Sequence, residues 1–185
     1  MHGFFRTLAA SLFLVMPGNA NELLSTLPVE SLDGKQELLT SVLPTHPVLW
    51  ITGFTRSCRS QTRVWSQRFG KDYAGRDDIS ALSIAVIEDV PRLLRGMVKR
   101  GIRKGVPEEF HQRFFLVTEG SADWKHLTSF TEGDSAYLVL LDCNRQVAWQ
   151  GSGDPDPSNY AALVEAIDDI TAVKCSRVAD QGASG

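Results

Sequence analysis

The sequence predicts an α/β domain in three layers, with helices on both faces of a central mixed sheet. An N-terminal β-hairpin and a C-terminal antiparallel hairpin complete that sheet. Three observations carry the prediction. Two continuous apolar runs, PVLWITGF (47–54) and ISALSIAVI (79–87), flank a segment whose apolar residues recur at helical spacing, as in a parallel strand–helix–strand unit. Two later apolar stretches are only three residues apart, a separation that fits a hairpin. The chain of 185 residues is 43% hydrophobic and 22% charged, which suits one domain able to bury a core.

Each element has its own local reason. Residues 1–20 join a basic start (MHGFFR), an apolar stretch (TLAASLFLVM) and small residues ending at Ala20, the pattern of a secretory leader cleaved near that residue. The expected location is therefore periplasmic or secreted. A mitochondrial presequence is the alternative, because the segment has no acidic residue. The apolar stretch is shorter than the roughly 20 residues that a bilayer-spanning helix needs. A single domain is expected over 21–175 and a flexible tail over 176–185.

After the leader, LPVESLDGKQELL reads as two extended pieces joined at Asp33-Gly34, a strong turn signal. The run 47–54 is short and rich in β-branched and aromatic residues, as a strand buried on both faces would be. From Ser60 to Tyr73, the residues Val64, Trp65, Phe69 and Tyr73 predict a helix that Gly70 or Gly75 can end. The run 79–87 is the second buried strand. Pro91 opens another helix, with Val90, Leu93, Leu94, Met97, Val98 and Ile102 as its apolar stripe. Gly96 and Gly101 each weaken that helix by about 1 kcal/mol relative to alanine. FFLV (114–117) is too short for periodicity to assign. SAYLVLLD (135–142) and QVAWQG (146–151) are strands joined through CNR. Asp156-Pro157 then supplies an N-cap and a proline at the first helical position, ahead of a face made by Tyr160, Leu163, Val164, Ile167 and Ile170.

This element order resembles the thioredoxin-like fold. SLDGKQELLTSVLPTHPVLWITGFTRSC is similar to the opening of peroxiredoxins and of exported thioredoxins that serve cytochrome maturation. The resemblance implies an attacking thiol at Cys58, and Thr55-x-x-Cys58 repeats the peroxiredoxin spacing of threonine and cysteine. Three positions depart from it. Gln61 stands where a C-x-x-C has its second cysteine, Asp134 and Ser135 where thioredoxins have a cis-proline, and Ile51 where peroxiredoxins have a proline. Dithiol exchange within one motif is thereby unavailable. In the C-terminal half, RGIRKGVPEEFHQRFFLV and AYLVLLDCNRQVAWQGSG, within residues 98–153, resemble the mitochondrial ATP synthase assembly factor family. That resemblance implies a membrane-associated helper of subunit assembly.

Cys58 is the candidate nucleophile. A thiol at a helix start is favoured as thiolate by the unpaired backbone N–H groups, and Arg56, Arg59 and Arg63 add positive charge. The alternative is a small buried residue where strand meets helix, as free cysteines often are. Arg59 could activate the thiol and Thr55 could hydrogen-bond a peroxide oxygen, or both could be ordinary loop residues. Cys143 and Cys175 complete an odd count, so a Cys143–Cys175 bridge, a bridge from Cys58 to either, and no bridge all stay open. His46, His111 and His126 are too scattered for a zinc site, and no metal or cofactor is expected. WQGSG lacks the lysine of a phosphate loop and reads as a turn.

Charge is distributed unevenly. The chain carries −3 overall, yet Arg92, Arg95, Lys99, Arg100, Arg103 and Lys104 lie together with no acidic residue among them, which leaves the rest at −9. Such a helix could bind anionic lipid headgroups or an acidic part of a membrane-associated protein client, or be an ordinary solvated face. Nucleic acid is excluded as a partner by the overall acidity and the leader. Two functions follow as expectations. One is a non-catalytic assembly factor or chaperone; the other is a one-cysteine thiol peroxidase or oxidoreductase using Cys58, Thr55 and Arg59.

Overall fold

In the computed structural model, which describes residues 24–172, strand β1 (Pro28–Ser31) turns back on β2 (Gln36–Leu38) through Leu32, Asp33 and Gly34. Gly34 takes φ +87°, the left-handed position that closes a three-residue hairpin loop and that glycine adopts without steric cost. The leader over 1–20, the tail over 176–185 and Cys175 lie outside the described residues.

A short helix, α1 (Leu39–Val42), leads to β3 (Val48–Gly53). Helix α2 (Arg59–Asp72) then crosses over to β4 (Ser80–Val86), which pairs with β3 in parallel. A second crossover by α3 (Arg92–Gly105) and a 3-10 turn (Glu108–Arg113) reaches β5 (Phe114–Val117), parallel to β4. After α4 (Ser121–Leu127), the hairpin of β6 (Tyr137–Leu141) and β7 (Val147–Ser152) adds antiparallel to the other side of β3, and α5 (Pro157–Ala172) closes the domain. The seven strands run in the order β2-β1-β5-β4-β3-β6-β7. The fold is the expected three-layer, mixed-sheet α/β arrangement of the thioredoxin-like kind.

Strand alternation divides the core by face. Leu49, Ile51, Leu138 and Leu140 point to one side, where α2 contributes Trp65 and Phe69 and α5 contributes Tyr160, Leu163 and Ile167. Val48, Trp50, Leu82, Ile84, Phe115 and Val139 point to the other, against Leu24, Leu39 and Trp124. Each such side chain taken from water contributes roughly 1.5–3 kcal/mol, which fixes the register of the central strands. At α5, Asp156 Oδ1 accepts the Ser158 and Asn159 N–H groups at 2.9 and 3.0 Å, the cap that the Asp-Pro pair predicts.

The structure departs from the sequence expectation in three places. FFLV forms a strand because β4 and β1 flank it on both sides; pairing, not periodicity, assigns it. The helices α1 and α4 and the 3-10 turn are too short to leave a periodic signal. Most consequential is α3, which buries no residue fully. Of the expected apolar stripe, Val98 and Ile102 pack against the small cluster of Leu32, Ile87 and Leu116, but Leu93, Leu94 and Met97 face outward. The helix is turned because acceptors lie beneath it. Arg95 donates to the carbonyls of Glu88, Val90 and Thr118, and Lys99 pairs with Glu30 at 2.5 Å.

Candidate functional site

β3 delivers the chain to the Cys58 loop. Its register pairs Thr52 with Tyr137 of β6, so Thr55, three residues on, arrives beside the loop that precedes β6. Cys58 is the N-cap residue of α2, at the amino end where an attacking thiol was expected. The residue is 1% exposed. It makes no cap hydrogen bond to the helix; instead Sγ donates to the Thr55 carbonyl at 3.1 Å. That contact uses the thiol proton, and a thiolate would face a carbonyl oxygen there. Gly53 lies behind the sulfur, since a Cβ on it would fall 2.8 Å from Sγ. Cys58 is a free thiol. A bridge from Cys58 to either other cysteine is thereby corrected, and Cys143 is disulfide-bonded.

The groups that would assist an attack have other partners. Thr55 Oγ1 donates its single proton to the Gly133 carbonyl at 2.7 Å and accepts the Ser57 N–H at 3.2 Å. Gln61, in the first turn of α2, accepts the Ala136 N–H at 2.8 Å and reaches Asp154 at 3.4 Å. The side chain in place of a second cysteine thus clips α2 to the start of β6. All three arginines of the loop are exposed, and none of them forms an ion pair among the described residues. The Arg59 guanidinium lies on Gly105 at the end of α3, where an added Cβ would come 2.5 Å from Nη2.

Beside Thr55, residues 130–135 form a braced loop. The Tyr137 hydroxyl accepts the N–H groups of Thr131 and Glu132 at 2.9 and 2.8 Å and donates to the Glu132 carbonyl at 2.8 Å. Phe54 meets both Phe130 and Tyr137 edge to face, with Phe54 and Phe130 centroids 4.7 Å apart, and Phe130 lies tilted against Tyr137. The Thr55–Gly133 bond fastens this loop to the cysteine loop. Sequence reasoning identified Cys58, Thr55 and Gln61 but not Gly133 or Tyr137. The run of aromatics at 54, 130 and 137 was the available signal, readable only once β3 and β6 are known to be neighbours.

The second sequence-predicted group divides. Arg95 and Lys99 are half-buried and hold α3 to the sheet through the contacts already described. Arg103 lies 3.7 Å from Asp33, an exposed pair that contributes little. Arg92, Arg100 and Lys104 are exposed and form no ion pair among the described residues. The Arg59 contact with Gly105 joins this surface to the cysteine loop, so the two basic features of the sequence adjoin. No helix among the described residues is long and apolar enough to cross a membrane.

Comparison with known proteins agrees with this architecture. The family described as ATP10 protein matches residues 24–170. No curated protein matches the chain in sequence. Among solved structures, BsSco, a member of the Sco family of cytochrome c oxidase assembly proteins, superposes with a TM-score of 0.55 at 16% identity, over 80% of this chain and 92% of that one. A putative electron transport protein from Aquifex aeolicus VF5 gives 0.54 at 14% identity, over 78% and 92%. The exposed lipoprotein thioredoxin Etrx1 from Streptococcus pneumoniae strain TIGR4 gives 0.51 at 12%, over 75% and 97%. These likenesses establish a shared thioredoxin-like fold.

Proposed function

The chain belongs to the ATP10 protein family, and from that premise we propose that it is a non-catalytic assembly factor for a membrane-associated client, with the thioredoxin-like frame kept as scaffold. The observation that carries this reading is the condition of Cys58. Its sulfur is buried, its proton is directed at a backbone carbonyl, and both Thr55 and Gln61 are engaged elsewhere. A nucleophilic thiol needs access to its substrate, and this arrangement offers none. The family is one of ATP synthase assembly factors, which supports a subunit of that complex as client and favours the mitochondrial reading of residues 1–20 over export.

The position of Cys58 at the amino end of α2 favours a second reading, the one-cysteine thiol enzyme assisted by Thr55 and Arg59. One pair of measurements separates the two. Purified protein is assayed for hydroperoxide consumption and for disulfide exchange with a dithiol reductant. Cys58→Ser is tested in parallel for support of ATP synthase assembly in cells lacking their own factor. The assembly-factor reading expects no turnover above that of Cys58→Ser, and full assembly by the variant. Turnover that disappears in Cys58→Ser, or a folded variant that no longer supports assembly, overturns it.

A further inference from the structure

The face of α3 turned from the protein has a composition that the fold does not use. Leu93 is 97% exposed, Met97 59% and Leu94 46%, three large apolar side chains side by side on one convex helix. Leu93, Met97, Arg100 and Lys104 recur at intervals of four, three and four residues, so they form a single seam along the helix. Its amino-terminal half is apolar and its carboxyl-terminal half basic. Arg92 and Leu94 flank the apolar half, and Arg59 reaches the basic end through Gly105. Arg59, Arg92, Arg100 and Lys104 form no ion pair among the described residues, although the chain outside α3 carries a net negative charge.

Removing Leu93 or Met97 from this seam would disturb nothing inside the domain, since α3 is held by Val98, Ile102, Arg95 and Lys99 on its opposite side. Apolar side chains standing proud of a convex surface, beside unneutralised cations, match a medium that presents anionic groups directly above a hydrocarbon layer. A protein groove would have to supply both features along one line.

We propose that α3 is a membrane-contact helix that seats on an anionic bilayer surface. Leu93, Leu94 and Met97 enter the acyl boundary, while Arg92, Arg100 and Lys104 meet lipid phosphates. The seam gives the docking a direction, with the amino-terminal half deeper and the basic half, with Arg59, at headgroup level. This goes beyond the assembly-factor reading and holds whether or not Cys58 reacts.

The test uses the full chain with Leu93→Trp and, as a control on the exposed part of β7, Ala148→Trp. Three native tryptophans, Trp50, Trp65 and Trp124, are fully buried and Trp149 is partly so, and the parent chain supplies their background. Vesicles of phosphatidylcholine mixed with phosphatidylglycerol should shift Leu93→Trp emission to the blue, and brominated acyl chains should quench it. Phosphatidylcholine alone should do neither, and Ala148→Trp should stay silent. The triple substitution R92Q/R100Q/K104Q should weaken partitioning about fivefold per cation, about a hundredfold in all. The proposal fails if the chain floats with anionic vesicles while Leu93→Trp is unchanged, which assigns binding to another segment. It fails equally if the triple variant binds as the parent does, or if Leu93→Trp responds to a client protein in detergent but not to vesicles.

Discussion

At the scale of single residues, the cysteine and its neighbours behave as a packing unit. Gly53 is close enough to Sγ that a methyl group there must displace the sulfur or Thr62 Cγ2, which an added Cβ would meet at 3.3 Å. Gly53→Ala is expected to destabilise by about 1–3 kcal/mol through overpacking. Cys58→Ala loses a hydrogen bond and leaves a small void, each worth on the order of 1 kcal/mol. The double variant should cost less than the two singly, because the void accepts the methyl, and urea denaturation of all four proteins measures that coupling. Gln61→Ala leaves the Ala136 N–H without its partner and is expected to cost about 1–3 kcal/mol in the same assay. A titrating residue lies farther off. Glu88 accepts the Ser121 N–H at 2.5 Å at the start of α4, and that bond holds its carboxyl below the ordinary value of 4.5. A depressed acid contributes stability above its unfolded pKa and loses it as pH falls through the folded one. Stability should therefore decline from about pH 5 downward, and less steeply in Glu88→Gln, as urea midpoints across that window would show.

Among elements, α2 and α5 contrast with α3. Trp65 and Phe69 of α2 and Leu163 and Ile167 of α5 interlock over the sheet, reinforced by the Trp65 Nε1 bond to the Gly153 carbonyl at 2.8 Å. Arg68 covers the Tyr160 ring at 3.5 Å, and burial followed by the Asp72 hydrogen bond pushes the Tyr160 phenol up, so it stays neutral. Helix α3 has no fully buried side chain and depends on polar anchors. Its amides should exchange with deuterium well before those of α2 and α5, because local opening there exposes little apolar surface. Arg95→Met, which removes donors from three carbonyls, is expected to cost on the order of 2 kcal/mol and to accelerate that exchange further. Exchange of α3 as slow as that of α2 would contradict this account of its docking.

Taken as a whole molecule, the domain joins a buried cysteine to an open basic surface. Alkylation expresses the difference in one experiment. Cys58 should react with iodoacetamide only when the domain opens, so its rate should rise with denaturant, and disulfide-bonded Cys143 should take no label without a reductant. A rate in native buffer equal to that of a free thiol would contradict the burial of Cys58.

Much of this was legible beforehand. The runs 47–54 and 79–87, the Asp33-Gly34 turn and the Asp156-Pro157 cap each carry a local cause, and each lies in the structure where that cause puts it. The position of Cys58 at the head of α2 was legible for the same reason. The engagement of Thr55 was not, because Gly133 reaches it only through the pairing of β3 with β6, a contact across about eighty residues of chain. Nor was the orientation of α3. A hydrophobic stripe states that one face is apolar; which face turns inward depends on the acceptors waiting on the sheet. Amino-acid order by itself determined the longer elements and the architecture, since periodicity and turn chemistry are local. Access to the sulfur and the outward face of the basic helix were decided by tertiary contacts alone, because both are properties of what packs against a residue rather than of the residue.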